Sequence, residues 1–145
     1  MTLTCSKTFG TVPIAHRQHR HPGRCRLVHG HGWTIRVTFG ASEPDANGFV
    51  VDFGALGGFH AWIDEHLDHG LLLSREDEAG RAMVEAAPDL FKVHWLGVAS
   101  CEGLAADLFE VFSGLLREAE GDRAWIEAVD VWEDDANRVT LTRER

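Results

Sequence analysis

Cysteine is scarce and irregularly spaced in this chain of 145 residues. The three cysteines, Cys5, Cys25 and Cys101, are an odd number, so the sequence does not predict a disulfide framework. Cys5 and Cys101 indicate nothing beyond packing. The first residues also lack the basic and then apolar run of a secretory signal peptide. We therefore expect a cytoplasmic protein, in which thiols stay reduced.

Long apolar runs are missing as well, whereas a membrane-spanning helix needs about 20 consecutive apolar residues. The composition, 44% hydrophobic and 26% charged, is typical of one globular domain, which we expect to span residues 1–145. A domain of this size buries roughly 68–70% of the surface that its unfolded chain exposes, so its core needs no structural metal. A metal bound here would serve chemistry.

Acidic residues are absent from the first 42 positions, which hold six basic ones. The remaining 103 residues carry eight basic and 23 acidic side chains. Nucleic-acid-binding domains usually have a pI above about 9, whereas this chain has a pI near 5.4. The sequence therefore favours a small polyanion, such as a phosphorylated metabolite, over nucleic acid. The alternative is that these basic side chains pair with acids elsewhere on the surface.

Hydrophobic periodicity predicts an α+β protein. The predicted elements are a strand over 2–15, a strand over 29–40, a helix over 53–68 with Asp52 as its N-cap, a shorter helix over 74–87 ended by Pro88, a helix from Ser100, and two strands over 124–134 and 137–145. Two runs of strands separated by a helical block favour an antiparallel sheet with helices on one face.

Two histidines lie on the apolar face of the second predicted strand. Because side chains alternate along a strand, His29 and His31 point inward together with Trp33. Burying imidazoles without partners is costly, and antiparallel pairing would bring His16 alongside them. Three histidines with no fourth protein ligand are typical of an open, catalytic zinc site. The alternative is a chance cluster, since the chain has nine histidines.

Cys25 precedes His29 by four residues and lies between Arg24 and Arg26. Nearby positive charge favours the thiolate, which is a usable base or nucleophile. Two alternatives stay open. Cys25 could be a small buried hydrophobic residue, or it could join the histidines in a closed structural zinc site.

Three more ionisable residues stand at the ends of predicted elements. Asp68 and His69 are neighbours, so their side chains can converge only where the backbone is irregular. Such a pair suits general acid–base catalysis or simply caps the helix. Glu133 ends a strand beside Trp132, where a carboxylate can accept two hydrogen bonds from the N–H edge of a pterin or guanine ring. The alternative for Glu133 is plain solvation.

Taken together, these residues resemble the 6-pyruvoyl-tetrahydropterin synthase and 6-carboxytetrahydropterin synthase family. The matching pattern is Ala15-His16-Arg17, Cys25-x-x-x-His29-Gly30-His31, Val51-Asp52-Phe53, Leu67-Asp68-His69, Glu102 and Glu133. The resemblance implies the tunnelling fold, an antiparallel four-stranded sheet with helices between strands two and three packed on one face. It also implies assembly through trimers into a homohexamer.

The family's site residues carry over to matching positions. The implied roles are Zn²⁺ binding by His16, His29 and His31, base catalysis by Cys25, a proton relay from a neighbouring subunit through Asp68 and His69, and substrate binding by Ser100, Glu102 and Glu133. The implied substrate is 7,8-dihydroneopterin triphosphate. We expect the queuosine-route lyase reaction, which releases triphosphate and acetaldehyde and leaves 6-carboxy-5,6,7,8-tetrahydropterin. The alternatives are 6-pyruvoyl-tetrahydropterin synthase activity and a divergent zinc protein for another pterin- or purine-like substrate.

The sequence departs from the family pattern around the substrate pocket. Gly32 and Trp33 follow the His-Gly-His element, where the family has Asn and an aromatic residue. The family's Pro-Thr-x-Glu-Asn signature is reduced to Ala-Ser-Cys-Glu-Gly at 99–103, and residues 74–95 look inserted. A folate branch has Glu at the position of Cys25, so this role is not expected. A cupin-type barrel, the remaining alternative, needs a ligating Glu soon after His-x-His, and the first acid is Glu43.

Overall fold

The first two predicted strands form the centre of a six-stranded sheet in the computed structural model, which describes residues 1–144. The strands are β1 (Leu3–His16), β2 (His29–Ala41), β3 (Gly70–Ser74), β4 (Val93–Leu96), β5 (Ala124–Trp132) and β6 (Arg138–Thr142). Their order across the sheet is β4-β3-β1-β2-β5-β6. The strands β1, β2, β5 and β6 pair antiparallel, whereas β3 pairs parallel with both β1 and β4.

Three α-helices complete the structure. They are α1 (Gly57–His66), α2 (Glu78–Ala86) and α3 (Cys101–Glu120), with short 3-10 turns at Arg24–Arg26, Phe53–Ala55 and Pro88–Leu90. The long helix α3 packs on β5 and β6 and also contacts α1. Among the described residues, no helix combines the length and apolar character needed to cross a bilayer.

The predicted α+β class is confirmed, but the predicted four-stranded antiparallel sheet is wrong. The four antiparallel strands are present, and β3 and β4 extend the sheet as two short parallel strands. All five residues of β3 are buried, so its sequence is a continuous apolar run without the alternation that marks a half-exposed strand. The segment 74–95 is thus more than a helical insertion, because it adds both α2 and β4.

Side-chain caps precede α2, α3 and the 3-10 turn before α1, and two of the three helices start later than predicted. Asp52 caps the 3-10 turn before α1 by accepting a hydrogen bond from the Gly54 amide, so α1 itself starts at Gly57 and not at 53. The helix α2 starts after Asp77 and not at Ser74, which is the last residue of β3. Ser100 caps α3 as predicted, accepting from the Gly103 amide.

The core lies between the inward face of the sheet and the apolar faces of α1 and α3. Phe9, Phe59 and Phe112, one each from β1, α1 and α3, meet there with ring centroids 4.8 to 6.3 Å apart. The predicted apolar face of the first helix is confirmed, because Leu56, Phe59, Ile63 and Leu67 are all buried. Burying one such side chain contributes about 1.5–3 kcal/mol, so these layers hold the strands in register.

Candidate active site

Strand pairing brings three histidines together at one end of the sheet. His16, the last residue of β1, is directly opposite His29, the first residue of β2, and His31 follows two residues later on the same side. One ring nitrogen of each lies within 4.8 Å of the others. We call His16, His29 and His31 the histidine triad. The expected convergence of these side chains is therefore present in the fold.

Backbone carbonyls orient two rings of the triad. His16 Nδ1 donates to the Ala99 carbonyl at 2.8 Å, and His29 Nδ1 donates to the Leu27 carbonyl at 2.6 Å. Because a carbonyl only accepts, each Nδ1 carries the proton and each Nε2 of the neutral ring carries a lone pair. Burial lowers the pKa of His16, although its hydrogen bond to Ala99 opposes the shift. This ring is therefore neutral at neutral pH.

The free nitrogens of the triad suit a divalent metal ion. The two Nε2 atoms of His16 and His29 face each other at 3.0 Å, and His31 Nε2 is buried with no hydrogen-bond partner among residues 1–144. Nitrogens bound to one tetrahedral zinc at roughly 2.0–2.1 Å lie about 3.3 Å apart. Converging lone pairs with no donor between them are the arrangement that a cation stabilises. Orientation of ligating imidazoles by carbonyls is also typical of zinc sites.

In the described part of the chain, the cluster of side chains that could hold one metal ion has three members. The cluster contains the triad and no carboxylate, and Cys25 is not part of it. A closed site of three histidines and Cys25 is therefore not what residues 1–144 form. Three protein ligands leave a coordination position for water or substrate, which distinguishes catalytic from structural zinc sites.

Cys25 lies in the 3-10 turn between the two strands of the triad. It is partly buried, and its carbonyl accepts from the Gln18 amide at 2.8 Å. Arg26 donates to the Gly23 carbonyl at 3.0 Å. Neither Arg24 nor Arg26 has an acidic partner among the described residues. Cys25 thus has two arginine neighbours on the chain that form no ion pair within residues 1–144.

A cleft of about 420 Å³ contains two of the predicted substrate-binding residues. It is lined by Gln18, Cys101, Glu102, Glu133, Ala136, Asn137, Arg138 and Val139. Ser100 is not among them, because its hydroxyl caps α3 and it is almost fully buried. The preceding Ala99 holds His16 through its carbonyl, so residues 99–102 connect the triad to the cleft.

Gly103 stands at the start of α3, where the family pattern has Asn. A Cβ at this position would lie 1.8 Å from the Val98 carbonyl oxygen. The chain therefore turns into α3 too tightly for any side chain at residue 103.

Cys101 is a residue of the cleft that the sequence analysis missed. Its thiol donates to Glu133 Oε2 with an S–O distance of 3.7 Å. Burial, together with the charges of Glu133 and Glu102, raises the pKa of Cys101 to about 12. It therefore remains a protonated donor to the predicted pterin-anchoring carboxylate. The available signal was its position next to Glu102 in the altered 99–103 motif.

The side chains of Asp68 and His69 do converge. As expected for neighbouring residues, the backbone between them is irregular. His69 has φ = 58°, and its Nδ1 lies 2.7 Å from Asp68 Oδ1. The His69 amide donates to the Pro13 carbonyl, which places the pair about three residues, or roughly 10 Å, from His16 along β1. The His69 side chain is 82% exposed. Within residues 1–144 the pair therefore faces solvent and not the triad.

The N-terminal cationic region is partly neutralised. Arg17 pairs with Asp77, Arg20 with Glu76 and Arg36 with Asp130. The other three basic residues of this region, Lys7, Arg24 and Arg26, form no ion pair within the described part of the chain. Half of these basic residues are thus paired, but pairing with a surface acid holds for Arg20 alone, because Asp77 and Asp130 are buried.

Residues 4–144 match the family model of 6-pyruvoyl tetrahydropterin synthase. The chain belongs to this family. The 6-carboxy-5,6,7,8-tetrahydropterin synthase of Rickettsia conorii is 34% identical over 71 residues, which are 48% of this chain and 51% of that protein. The enzyme of the same name from Bacillus subtilis is 38% identical over 55 residues, 38% of this chain and 36% of the relative. The chain thus aligns with about half, or less, of these curated relatives.

Solved structures share the fold at low sequence identity. An uncharacterised protein of Wolinella succinogenes superposes with a TM-score of 0.83 at 20% identity, covering 99% of both chains. The 6-pyruvoyl tetrahydropterin synthase of Caenorhabditis elegans has a TM-score of 0.69 at 18% identity, covering 99% of this chain and 97% of that one. The resemblance inferred from the sequence motifs is therefore confirmed at the level of family and fold.

Proposed function

We propose that this protein is a zinc-dependent lyase acting on 7,8-dihydroneopterin triphosphate. The products are triphosphate, acetaldehyde and 6-carboxy-5,6,7,8-tetrahydropterin, with one water consumed, as on the route to queuosine and other 7-deazapurines. The observation that carries this proposal is the histidine triad with unpartnered nitrogens beside a cleft that holds two carboxylates. Several curated relatives are named 6-carboxy-5,6,7,8-tetrahydropterin synthase, which agrees with it.

The triad would hold Zn²⁺ as three neutral nitrogen ligands. When bound, the ion supplies a Lewis acid that polarises the hydroxyl groups of the substrate side chain. The carbonyls of Ala99 and Leu27 keep the rings of His16 and His29 in their required tautomer.

Proton transfer would be the task of Cys25, with Asp68 and His69 as the relay. Cys25 lies on the chain between His16 and His29, in the Arg24–Arg26 turn, and as the base it would stand beside the bound side-chain hydroxyl. The exposed pair Asp68 and His69 does not reach the triad of its own chain. We therefore place it in the site of a neighbouring subunit.

A homo-oligomer would supply that neighbour. In the described structure β3 pairs with β1 only at residues 14–16, so the earlier part of β1 has an open edge. The strand β6 pairs only with β5 and has a second open edge. Open edges are sites of strand pairing between chains, and a closed ring of copies, assembled as a hexamer, would cover both.

The pterin ring would bind in the cleft and the triphosphate beside the cationic residues. Glu133 has two carboxylate oxygens for the N–H and NH₂ groups of the ring, with Glu102 across the same cleft. Arg24 and Arg26, which form no ion pair with an acid of residues 1–144, would attract the triphosphate. The proposed ligand is thus a small molecule. The three free cysteines of the protein agree with action in the reducing cytoplasm.

The test is an anaerobic incubation of zinc-loaded protein with 7,8-dihydroneopterin triphosphate, followed by mass spectrometry. We expect acetaldehyde and 6-carboxytetrahydropterin from the parent protein. Cys25→Ala should keep its zinc and lose turnover by about 10²-fold or more, because only the base is removed. Zinc-loaded protein that releases neither triphosphate nor acetaldehyde would overturn the proposal.

The second candidate is 6-pyruvoyl tetrahydropterin synthase activity, which the name of the matching family favours. It predicts triphosphate release without acetaldehyde in the same experiment. The altered 99–103 motif favours a third outcome, turnover of another pterin- or purine-like triphosphate. Parallel incubations with such triphosphates at equal zinc content distinguish it.

A further inference from the structure

The chain between the two strands of the histidine triad has little regular structure of its own. We call residues 17–28 the bridging segment, since it starts after His16, ends before His29 and carries Cys25. Its regular structure is one 3-10 turn at Arg24–Arg26, none of whose residues is buried. It is linked internally by a few backbone bonds, such as that from the Gln18 amide to the Cys25 carbonyl. Contacts with the rest of the protein must therefore fix its position.

The best-buried of these contacts is the ion pair of Arg17 with Asp77, the residue that precedes α2. Arg17 Nε lies 2.8 Å from Asp77 Oδ2, and the two side chains are only 22% and 2% exposed. The contact is an ion pair and not a hydrogen bond, so the opposite charges are what hold these two buried atoms together. The other carboxylate oxygen, Oδ1, accepts from the Gly80 amide at 2.9 Å and caps α2. A Cβ at residue 80 would lie 2.5 Å from Asp77 Oδ2. Glycine at this position therefore leaves room for the Asp77 carboxylate.

Asp77 is itself held firmly by the added part of the sheet. Its amide donates to the Ser74 carbonyl, and Ser74 is the last residue of the fully buried strand β3. The Ser74 hydroxyl donates to the Gly97 carbonyl at 2.8 Å. The neighbouring Arg75 amide donates to the Leu96 carbonyl on β4. The turn at 74–77 is therefore an anchored part of the structure.

A second ion pair joins the same two segments on the surface. Arg20 pairs with Glu76, and their side chains are 75% and 66% exposed. Pairs this exposed contribute little, whereas a buried carboxylate that loses its partner is strongly unfavourable. The two pairs thus connect the same segments with very different expected strength, which makes one a matched control for the other.

We propose that the unit formed by β3, α2 and β4 positions the bridging segment, and that Asp77 is the positioning residue. Through Arg17 it fixes the chain next to His16 and so sets where Cys25 stands relative to the triad. The effect on turnover rests on the proposed function, but the effect on the bridging segment does not. On the proposed function, the segment 74–95 would contribute to turnover through the position that it gives Cys25.

The test compares Asp77→Asn with Glu76→Gln in the full chain. Asparagine still caps α2 but loses the charge that Arg17 needs. We measure trypsin cleavage after Arg20, Arg24 and Arg26, and alkylation of Cys25 by iodoacetamide, with the modified cysteine located by mass spectrometry. We expect Asp77→Asn to speed both by about tenfold and Glu76→Gln to change either by less than about twofold.

Arg17 provides the reciprocal variants. Arg17→Gln should reproduce the effect of Asp77→Asn, and Arg17→Lys, which keeps the charge, should restore protection. The double variant Arg17→Gln/Asp77→Asn should be no worse than either single change, since the two act as one pair. If Asp77→Asn lowers the midpoint of urea unfolding too far for these assays, Arg17→Gln tests the same contact with the cap intact.

Turnover separates positioning from stability. With 7,8-dihydroneopterin triphosphate, Asp77→Asn should lower kcat by about tenfold while KM and zinc content stay within about twofold, and Arg17→Lys should recover kcat. Parental cleavage and alkylation rates in both Asp77→Asn and Arg17→Gln would overturn the positioning proposal. If the two variants lose protection but the parent protein itself shows no turnover, the positioning of the segment is supported and the proposed function is overturned.

Discussion

Two groups of histidines in this molecule have similar spacing and opposite chemistry. In the histidine triad the Nε2 atoms converge without a donor between them. In a second group, which we call the helix-side cluster (Trp62, His66, His94 and Asp107), His94 Nε2 lies 2.7 Å from Asp107 Oδ2. The rings of His66 and His94 pack on Trp62 at 4.6 and 5.4 Å. Proximity of histidines therefore does not indicate a metal site, whereas lone pairs without partners do.

The environments of the two groups explain this difference. The triad is formed across paired strands, where Ala99 and Leu27 accept the Nδ1 protons and leave Nε2 free. The helix-side cluster joins α1, α3 and the added strand β4. There the Asp107 carboxylate forms a hydrogen bond with Nε2 of His94. The first group suits a cation, and the second connects the added strand to the helices.

The largest expected effect comes from removing a triad nitrogen. His31→Ala should weaken zinc binding by about 100-fold or more, because three ligands become two. Competition with a chromophoric chelator measures this. His66→Ala, a change in the helix-side cluster, should leave the affinity unchanged. Equal losses of zinc affinity in His31→Ala and His66→Ala would contradict the assignment of metal binding to the triad alone.

A smaller effect is expected from breaking the pair in the helix-side cluster. The side chains of His94 and Asp107 are 16% and 27% exposed, so His94→Ala should lower the free energy of unfolding by about 1–2 kcal/mol. Urea denaturation measures the loss. His66→Ala should cost less, about 0.5 kcal/mol, because His66 is 41% exposed. A drop in zinc affinity in His94→Ala would contradict the structural role.

The smallest expected effect concerns the carboxylate near each group, Asp107 or Glu133. It is a change of the free energy of unfolding with pH. Asp107 accepts from an imidazole, whereas Glu133 accepts from the Cys101 thiol, whose pKa is raised from 9.0 to about 12. Because the folded state holds this proton more tightly, the resulting stability is fully present below pH 9 and is lost as pH rises toward 12. We expect a loss of about 1 kcal/mol by pH 10, measured by urea unfolding.

The alkaline range is favourable for this measurement because the chain has no tyrosine. Cys101→Ala should flatten the decline above pH 9. Cys5→Ala is the matched control, since burial raises the pKa of Cys5 as well but no carboxylate of residues 1–144 forms a hydrogen bond with it. Parallel pH profiles for the parent and Cys101→Ala would show that the thiol does not keep its proton as inferred.

Several elements were predictable because local sequence patterns determine them. Alternation over 29–40 predicted both β2 and the shared direction of His29 and His31. Helical spacing predicted α1 and α3, and Ser100 marked the start of α3. The strand β3 was missed because a strand buried on both faces does not alternate, and β4, a strand of four residues, offers too short a pattern.

The amino-acid sequence alone determined the family, the α+β class, the residues of the triad and the adjacency of Asp68 and His69, because each depends on local spacing or short motifs. Only the tertiary structure decided that β3 and β4 extend the sheet, that Arg17 pairs with Asp77, and that Cys101 donates to Glu133. The two side-chain contacts join residues that are 60 and 32 positions apart in the chain. Such pairings depend on how the strands and helices pack together, and no local pattern encodes them.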